Sequence, residues 1–207
     1  MPPAGKARTA LAAYNLLNVD IGWISKKSAK WLRDNAGEIP RGFTEVGSEP
    51  VIKILDSPIG TIGVVFFPEG PVAGKSPAPG QEEAVLSAAR GLKDRVAMVL
   101  GISPWGYVGE RDFLVKADGI FNCILGSGEG VGFSGTVPQK APGVLWIRPD
   151  GQGRAINILE LYSRPQPGQS IQWQERKTFG ANLEFLDDSC PSDPGMLRLI
   201  GPPPPRS

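Results

Sequence analysis

Three short apolar runs limit most strongly what this chain can fold into: Thr61–Phe67 (TIGVVFF), Arg95–Ile102 (RVAMVLGI) and Gly119–Leu125 (GIFNCIL). A strand with one wet face alternates apolar and polar residues. A nearly continuous apolar run instead belongs to a strand buried on both faces, as in parallel sheets covered by helices. Between the first two runs lies Gln81–Lys93, a helical segment with acids at its start and a lysine at its end, as the helix dipole favours. Between the second and third lies a shorter helical segment, Glu110–Lys116. Strand, helix, strand at this spacing predicts βαβ units.

The remaining elements are set by turn chemistry. Val51–Leu55, the turn Asp56–Gly60 and the run Thr61–Phe67 predict a hairpin. Val144–Arg148, the turn Pro149–Gly153 and Ala155–Leu161 predict a second one. Lys6–Leu17 and Ser25–Asn35 have helical patterns, the latter capped by Ser25 and stopped by Gly37. The stretch Gly126–Gly143 is glycine-rich and irregular, Ser170–Lys177 fits an edge strand, and Met196–Ile200 is a short apolar segment. Gly201 and four prolines begin a polyproline-like tail. With 27 Gly and 21 Pro in 207 residues, turns and long connections are expected rather than a helix bundle. The fold class expected is α/β (α+β), a mixed sheet with βαβ units and two hairpins. Residues 1–163 form one domain in this reading and 164–207 a C-terminal extension.

Function classes narrow by composition. The net charge of +1 offers no electrostatic case for nucleic acid as partner. No apolar run approaches the roughly 18 residues of a membrane span. The start, Met1–Gly5, lacks the pattern of an export signal. A soluble, cytoplasmic protein is expected from the chain as it begins here, or a periplasmic one if a signal has been lost. The 207 residues contain no histidine, which excludes Ser–His and Cys–His nucleophilic arrangements and imidazole-bound metals. Cys123 and Cys190 have no metal-ligand spacing. Cys123 lies in an apolar run and is expected to be a buried, unreactive thiol.

Two glycine motifs invite a phosphate ligand. Glu69–Ser76 ends in Gly-Lys-Ser after a buried strand, but an acid stands at the first glycine position and Pro77–Pro79 follows instead of a helix. A surface loop is the expectation. Gly126–Gly132 is the densest glycine segment, and Gly130, Gly132 and Gly135 satisfy G-x-G-x-x-G. No helix opens from it, so it is either a loop needing positive φ or a ligand loop at a strand's carboxyl end. Glu110, Asp112, Asp118, Glu129 and Asp150 show no catalytic spacing and are expected to be solvated surface acids.

The order of elements resembles the 5'-nucleotidases and UDP-sugar hydrolases of the calcineurin-like metallophosphoesterases. Ala13–Asp20 resembles the helix end before their Asn-His-Glu motif, and Ser57–Val65 resembles their G-x-x-I-G-V-I-G hairpin. Val96–Gly106 is similar to the strand ending in Leu-Ser-His-x-Gly, Lys116–Gly126 to the strand ending in Gly-His-x-His, and Gly153–Leu161 to the closing hairpin. The departures fall on the chemical positions: Ile21–Ile24 follows Asp20, Ser103 or Pro104 stands at one ligand histidine, and Gly126–Glu129 replaces Gly-His-x-His. The family uses two divalent metals; its ligands are missing here, so no cofactor is expected.

This resemblance implies a partial metallophosphoesterase-like β-sandwich flanked by helices and lacking the family's N-terminal strand, either as a minimal remnant or because an upstream part is missing. It implies a degenerate 5'-nucleotidase-like protein without phosphatase activity, binding a small anionic or nucleotide-like ligand through Asp20, Ser103, Gly126, Ser127, Gly128 and Glu129. It also leaves two alternatives. The chain is similar to the C-terminal portion of a divergent group with selenoprotein members, whose catalytic hydrolase or redox residues would lie upstream. Alternatively, it is an interaction module using Trp23, Trp105, Trp173 or the proline tail, although core or rim positions are the expectation for these tryptophans.

Overall fold

A computed structural model describes residues 4–70, 75–149, 153–163, 165–187 and 190–201. The chain divides into two compact units, residues 1–46 with 188–207 and residues 47–187. The division expected at 163/164 is therefore corrected. It falls just after a strand that pairs with a later one, so cutting there would split a hairpin.

The smaller unit contains helix α1 (Ala4–Leu16), strand β1 (Gly22–Ser25), helix α2 (Lys26–Ala36), strand β2 (Phe43–Val46) and the last helix, α5 (Pro194–Ile200). Sequence patterning foretold α1 and α2 but neither strand. Ser25 caps α2 through a 3.1 Å bond from the Ser28 amide, and Gly37 closes it at φ +91°. β1 and β2 pair in parallel from Gly22↔Phe43 to Ser25↔Val46. Runs of four residues are too short to show a period, which is why they were illegible. Ala7, Ile24, Ala29 and Leu32 form this unit's core.

The larger unit is a mixed α/β fold. Its elements are β3 (Val51–Ser57), β4 (Gly60–Phe66), α3 (Pro79–Arg90), β5 (Met98–Ser103), α4 (Gly106–Ala117), β6 (Cys123–Gly126), β7 (Phe133–Thr136), β8 (Leu145–Arg148), β9 (Ala155–Leu161) and β10 (Phe179–Phe185). Six strands make one sheet in the order β3-β4-β5-β6-β8-β7. β4, β5, β6 and β8 run parallel, and β3 and β7 are antiparallel edges. The three apolar runs are thus adjacent central strands joined through α3 and α4, as expected. The register puts Val65, Val99, Ile124 and Trp146 on the face whose core includes Val85 and Leu86 of α3 and Phe113 and Leu114 of α4. Cys123, Leu145 and Ile147 point the other way, into a cluster with Trp173, Phe179, Leu159 and Leu161.

Several expectations change. The second hairpin does not form: β8 already has β6 on one side and β7 on the other, so β9 pairs with β10 instead, Ala155↔Phe185 to Leu161↔Phe179. Of its presumed turn, residues 150–152 lie outside the described residues. Ser170–Lys177 is not a strand. The Thr178 hydroxyl donates toward the Gln172 and Gln174 carbonyls, the Gln174 amide donates to it, and Arg176 takes φ +64°, a tight turn that delays the strand to Phe179. The stretch after Gly126 contains β7, and Met196–Ile200 is helical. Residues 71–74 of the Gly-Lys-Ser loop and 202–207 of the proline tail lie outside the described residues. Among the described residues no helix is long and apolar enough to cross a membrane.

Candidate functional site

The carboxyl ends of β5, β6 and β8 are where a parallel sheet presents ligand residues. The structure brings Ser103, Gly126, Ser127, Gly128 and Glu129 together there. Ser103 and Gly126 are register partners at the ends of β5 and β6. The Ser127 hydroxyl donates to the Ser103 carbonyl at 2.9 Å, and the Ser103 hydroxyl accepts from the Trp105 amide at 3.2 Å. Asp20 belongs to the other compact unit, exposed in the turn between α1 and β1.

The centre of this cluster is a pair absent from the sequence-derived set. Glu110 of α4 and Arg148 of β8 are both completely buried, 0% and 1% exposed. Arg148 Nη1 donates to Glu110 Oε2 at 2.5 Å and the Trp146 indole N–H donates to the same oxygen at 2.9 Å. The Ser127 amide donates to Oε1 at 3.2 Å. Burial pushes the Glu110 carboxyl above its ordinary value; Arg148, Trp146 and Ser103 pull the other way. The expectation that Glu110 is a solvated acid is therefore corrected. The signal was present: Glu110, Phe113, Leu114 and Ala117 share one buried helical stripe. Of the other acids, Asp118 accepts from the Gly143 amide, Asp112 from Ser76 and Arg111, and Asp150 lies outside the described residues. Glu129 is exposed.

Arg148 also shapes the glycine loop. Its Nη2 donates to the Gly128 and Glu129 carbonyls at 3.1 Å each, and its Nε to the Val131 carbonyl at 3.0 Å. Gly128 and Gly130 take φ +81° and +118° to turn these carbonyls inward. The Ser127 carbonyl accepts from the Gly106 amide and the Glu129 carbonyl from the Tyr107 amide, tying the loop to the start of α4. The amides of Gly128, Glu129 and Gly130 have no hydrogen-bond partner among the described residues, and all three residues are exposed. Gly126 has a steric role: a Cβ there would overlap the Glu110 carboxylate.

Other groups sort plainly. Cys123 is wholly buried, its thiol pushed up to about 12 by burial, and both cysteines are free. Trp105 and Trp173 are buried, in keeping with their expected place as core or rim residues and not with the alternative of exposed contacts. The Trp105 indole donates to the Pro68 carbonyl, and that of Trp173 to the Asn122 and Gly143 carbonyls. Trp23 is half-buried. Among the described residues no group of three His, Cys, Asp or Glu side chains could hold a metal ion.

No protein-family model matches the chain, and no curated protein matches it. Among solved structures it is similar to a hypothetical protein from Thermus thermophilus, at 11% identity and a TM-score of 0.39, over 70% of this chain and 68% of that one.

Proposed function

We propose that this chain is a non-hydrolytic binding protein, a degenerate relative of the 5'-nucleotidase-like metallophosphoesterases, whose 127–131 loop receives a small nucleotide-like anion. One observation carries the reading: Arg148 turns the loop carbonyls inward while the amides of residues 128–130 stay unpartnered on the exposed side. Successive free amides around left-handed glycines form a concavity suited to phosphate oxygens. The exposed Glu129 carboxylate beside them suits a hydroxyl donor, as an acid accepts from ribose in dinucleotide sites. A nucleoside phosphate presents both groups. Ser103, fully buried and hydrogen-bonded, positions the loop in this reading and does not touch ligand. The absence of histidine from the sequence supports a binding role over imidazole-assisted hydrolysis.

Thermal unfolding in the presence of millimolar AMP, UDP-glucose or inorganic phosphate tests this, because a ligand of the native state raises its stability by mass action. A nucleotide-dependent rise in Tm that Glu129→Lys changes is expected. No shift with any of them sinks the proposal. Metal-dependent release of phosphate from nucleotides by the purified chain would overturn its non-hydrolytic half.

A further inference from the structure

The smaller unit holds a second, chemically different pocket. A cavity of 370 Å3 draws one aromatic ring from each of four elements: Tyr14 of α1, Trp23 of β1, Trp31 of α2 and Phe43 of β2. Its volume falls in the roughly 300–1,000 Å3 range of ligand pockets. Tyr14 and Phe43 meet edge to face, centroids 5.1 Å apart. Aromatic walls favour a flat ring, which can stack on them or meet them edge on. The polar side chains of the lining offer donors. The Tyr14 hydroxyl and the Trp31 indole N–H have no hydrogen-bond partner among the described residues, and Ser28 accepts from the Ser25 hydroxyl, which leaves its own proton to donate.

Charge decides what such a ring should carry. No acid or base lines the cavity, and residues 1–46 hold seven lysines and arginines against four acids. Lys30 and Arg33 are paired with Asp34 and Glu45, whereas Lys26 and Lys27 are exposed and in no ion pair among the described residues. Lys27 precedes Trp31 by four residues on α2, so the two are neighbours on the helix surface. Lysines open this helix with no acid in its first turn, the reverse of what the helix dipole favours, and an anion beside them relieves that conflict. A quaternary ammonium also suits aromatic walls, but here it would meet lysines and no carboxylate. We propose that the pocket binds a planar aromatic carboxylate, with the ring among the four aromatic side chains and the carboxylate beside Ser28 and Lys27.

The test titrates the full-length protein in a calorimeter with indole-3-acetate, indole-3-ethanol and tryptamine, which put an anion, a neutral hydroxyl and a cation on the same ring. At low ionic strength indole-3-acetate is expected to bind about tenfold more tightly than the alcohol, the usual worth of one hydrogen bond to a charged group. That margin should narrow in high salt, which screens an exposed lysine. Tryptamine should bind most weakly. Trp31→Ala should abolish binding of all three. Lys27→Glu changes only an exposed side chain, and should reverse the order of the anion and the cation. No binding of indole-3-acetate at roughly millimolar concentration overturns the proposal. So does equal binding of the acid and the alcohol, or an unchanged order in Lys27→Glu. Tryptamine as the tightest ligand of the wild type would overturn it too, making the pocket an ammonium cage.

Discussion

Helix α4 carries an acid and a base only six positions apart, and each is paired across to another element with a different energetic consequence. Glu110 meets Arg148 of β8 with both side chains out of water. Lys116 meets Glu82 of α3 at 2.5 Å with its own side chain 54% exposed. The distances are the same, so the difference lies in solvent. In the outer pair water reaches the lysine, screens the attraction and would solvate Lys116 left alone, although Glu82 is itself only 8% exposed. In the interior neither charge has that alternative, so each depends on its partner and on every hydrogen bond around it. The inner pair consequently organises the end of the sheet, holding the Gly128, Glu129 and Val131 carbonyls through Arg148 and the Ser127 amide through Glu110.

The strongest challenge to that contrast is Arg148→Met. It strands a buried carboxylate and removes a donor from three loop carbonyls, of which that of Glu129 keeps the Tyr107 amide, and should cost about 3–5 kcal/mol in urea unfolding at neutral pH. A loss below about 1 kcal/mol would mean the interior pair behaves like a rim pair. The same variant has a defined pH response. Without the arginine the Glu110 carboxyl rises further above its ordinary value. The native state then holds its proton to higher pH than the unfolded chain does, and stability from this group falls as pH increases from the ordinary carboxylate value of 4.5. Arg148→Met should therefore lie nearest the wild type in acid and diverge toward neutrality. A constant gap across that range would contradict the assignment.

Gly126→Ala should cost about 1–3 kcal/mol, the usual range for overpacking, because its methyl would occupy the space of the Glu110 carboxylate. The penalty should shrink when Glu110 is first changed to Ala; additive losses would show that the two sites do not share that space. The smallest effect belongs to Lys116→Met, at about 1 kcal/mol, because water reaches this pair from the lysine side although Glu82 is only 8% exposed. A loss comparable to that of Arg148→Met would erase the distinction between the pairs.

The same contrast explains how far the chain could be read in advance. Ser103 and the 126–129 loop were legible as strand-end residues because apolar runs locate parallel strands, and parallel strands present their carboxyl ends together. Arg148 was not, since nothing local says that a charge ending Leu145–Arg148 turns inward. Glu110 was legible only in retrospect, from its place on a buried helical stripe. The aromatic pocket of the smaller unit was invisible, because Tyr14, Trp23, Trp31 and Phe43 are scattered along the chain and share no period.

Sequence by itself determined the buried central strands, the first hairpin, the helices between them, Ser25 as cap and Gly37 as stop, and the absence of imidazole chemistry. These follow from local rules: apolar periodicity, capping, turn residues and composition. Tertiary structure alone decided that β9 leaves β8 for β10, that β1 and β2 form a parallel pair, and that Glu110 and Arg148 meet inside. Each of those choices depends on which strand edges are already occupied and which charges find partners away from water, and both are properties of contacts distant in sequence.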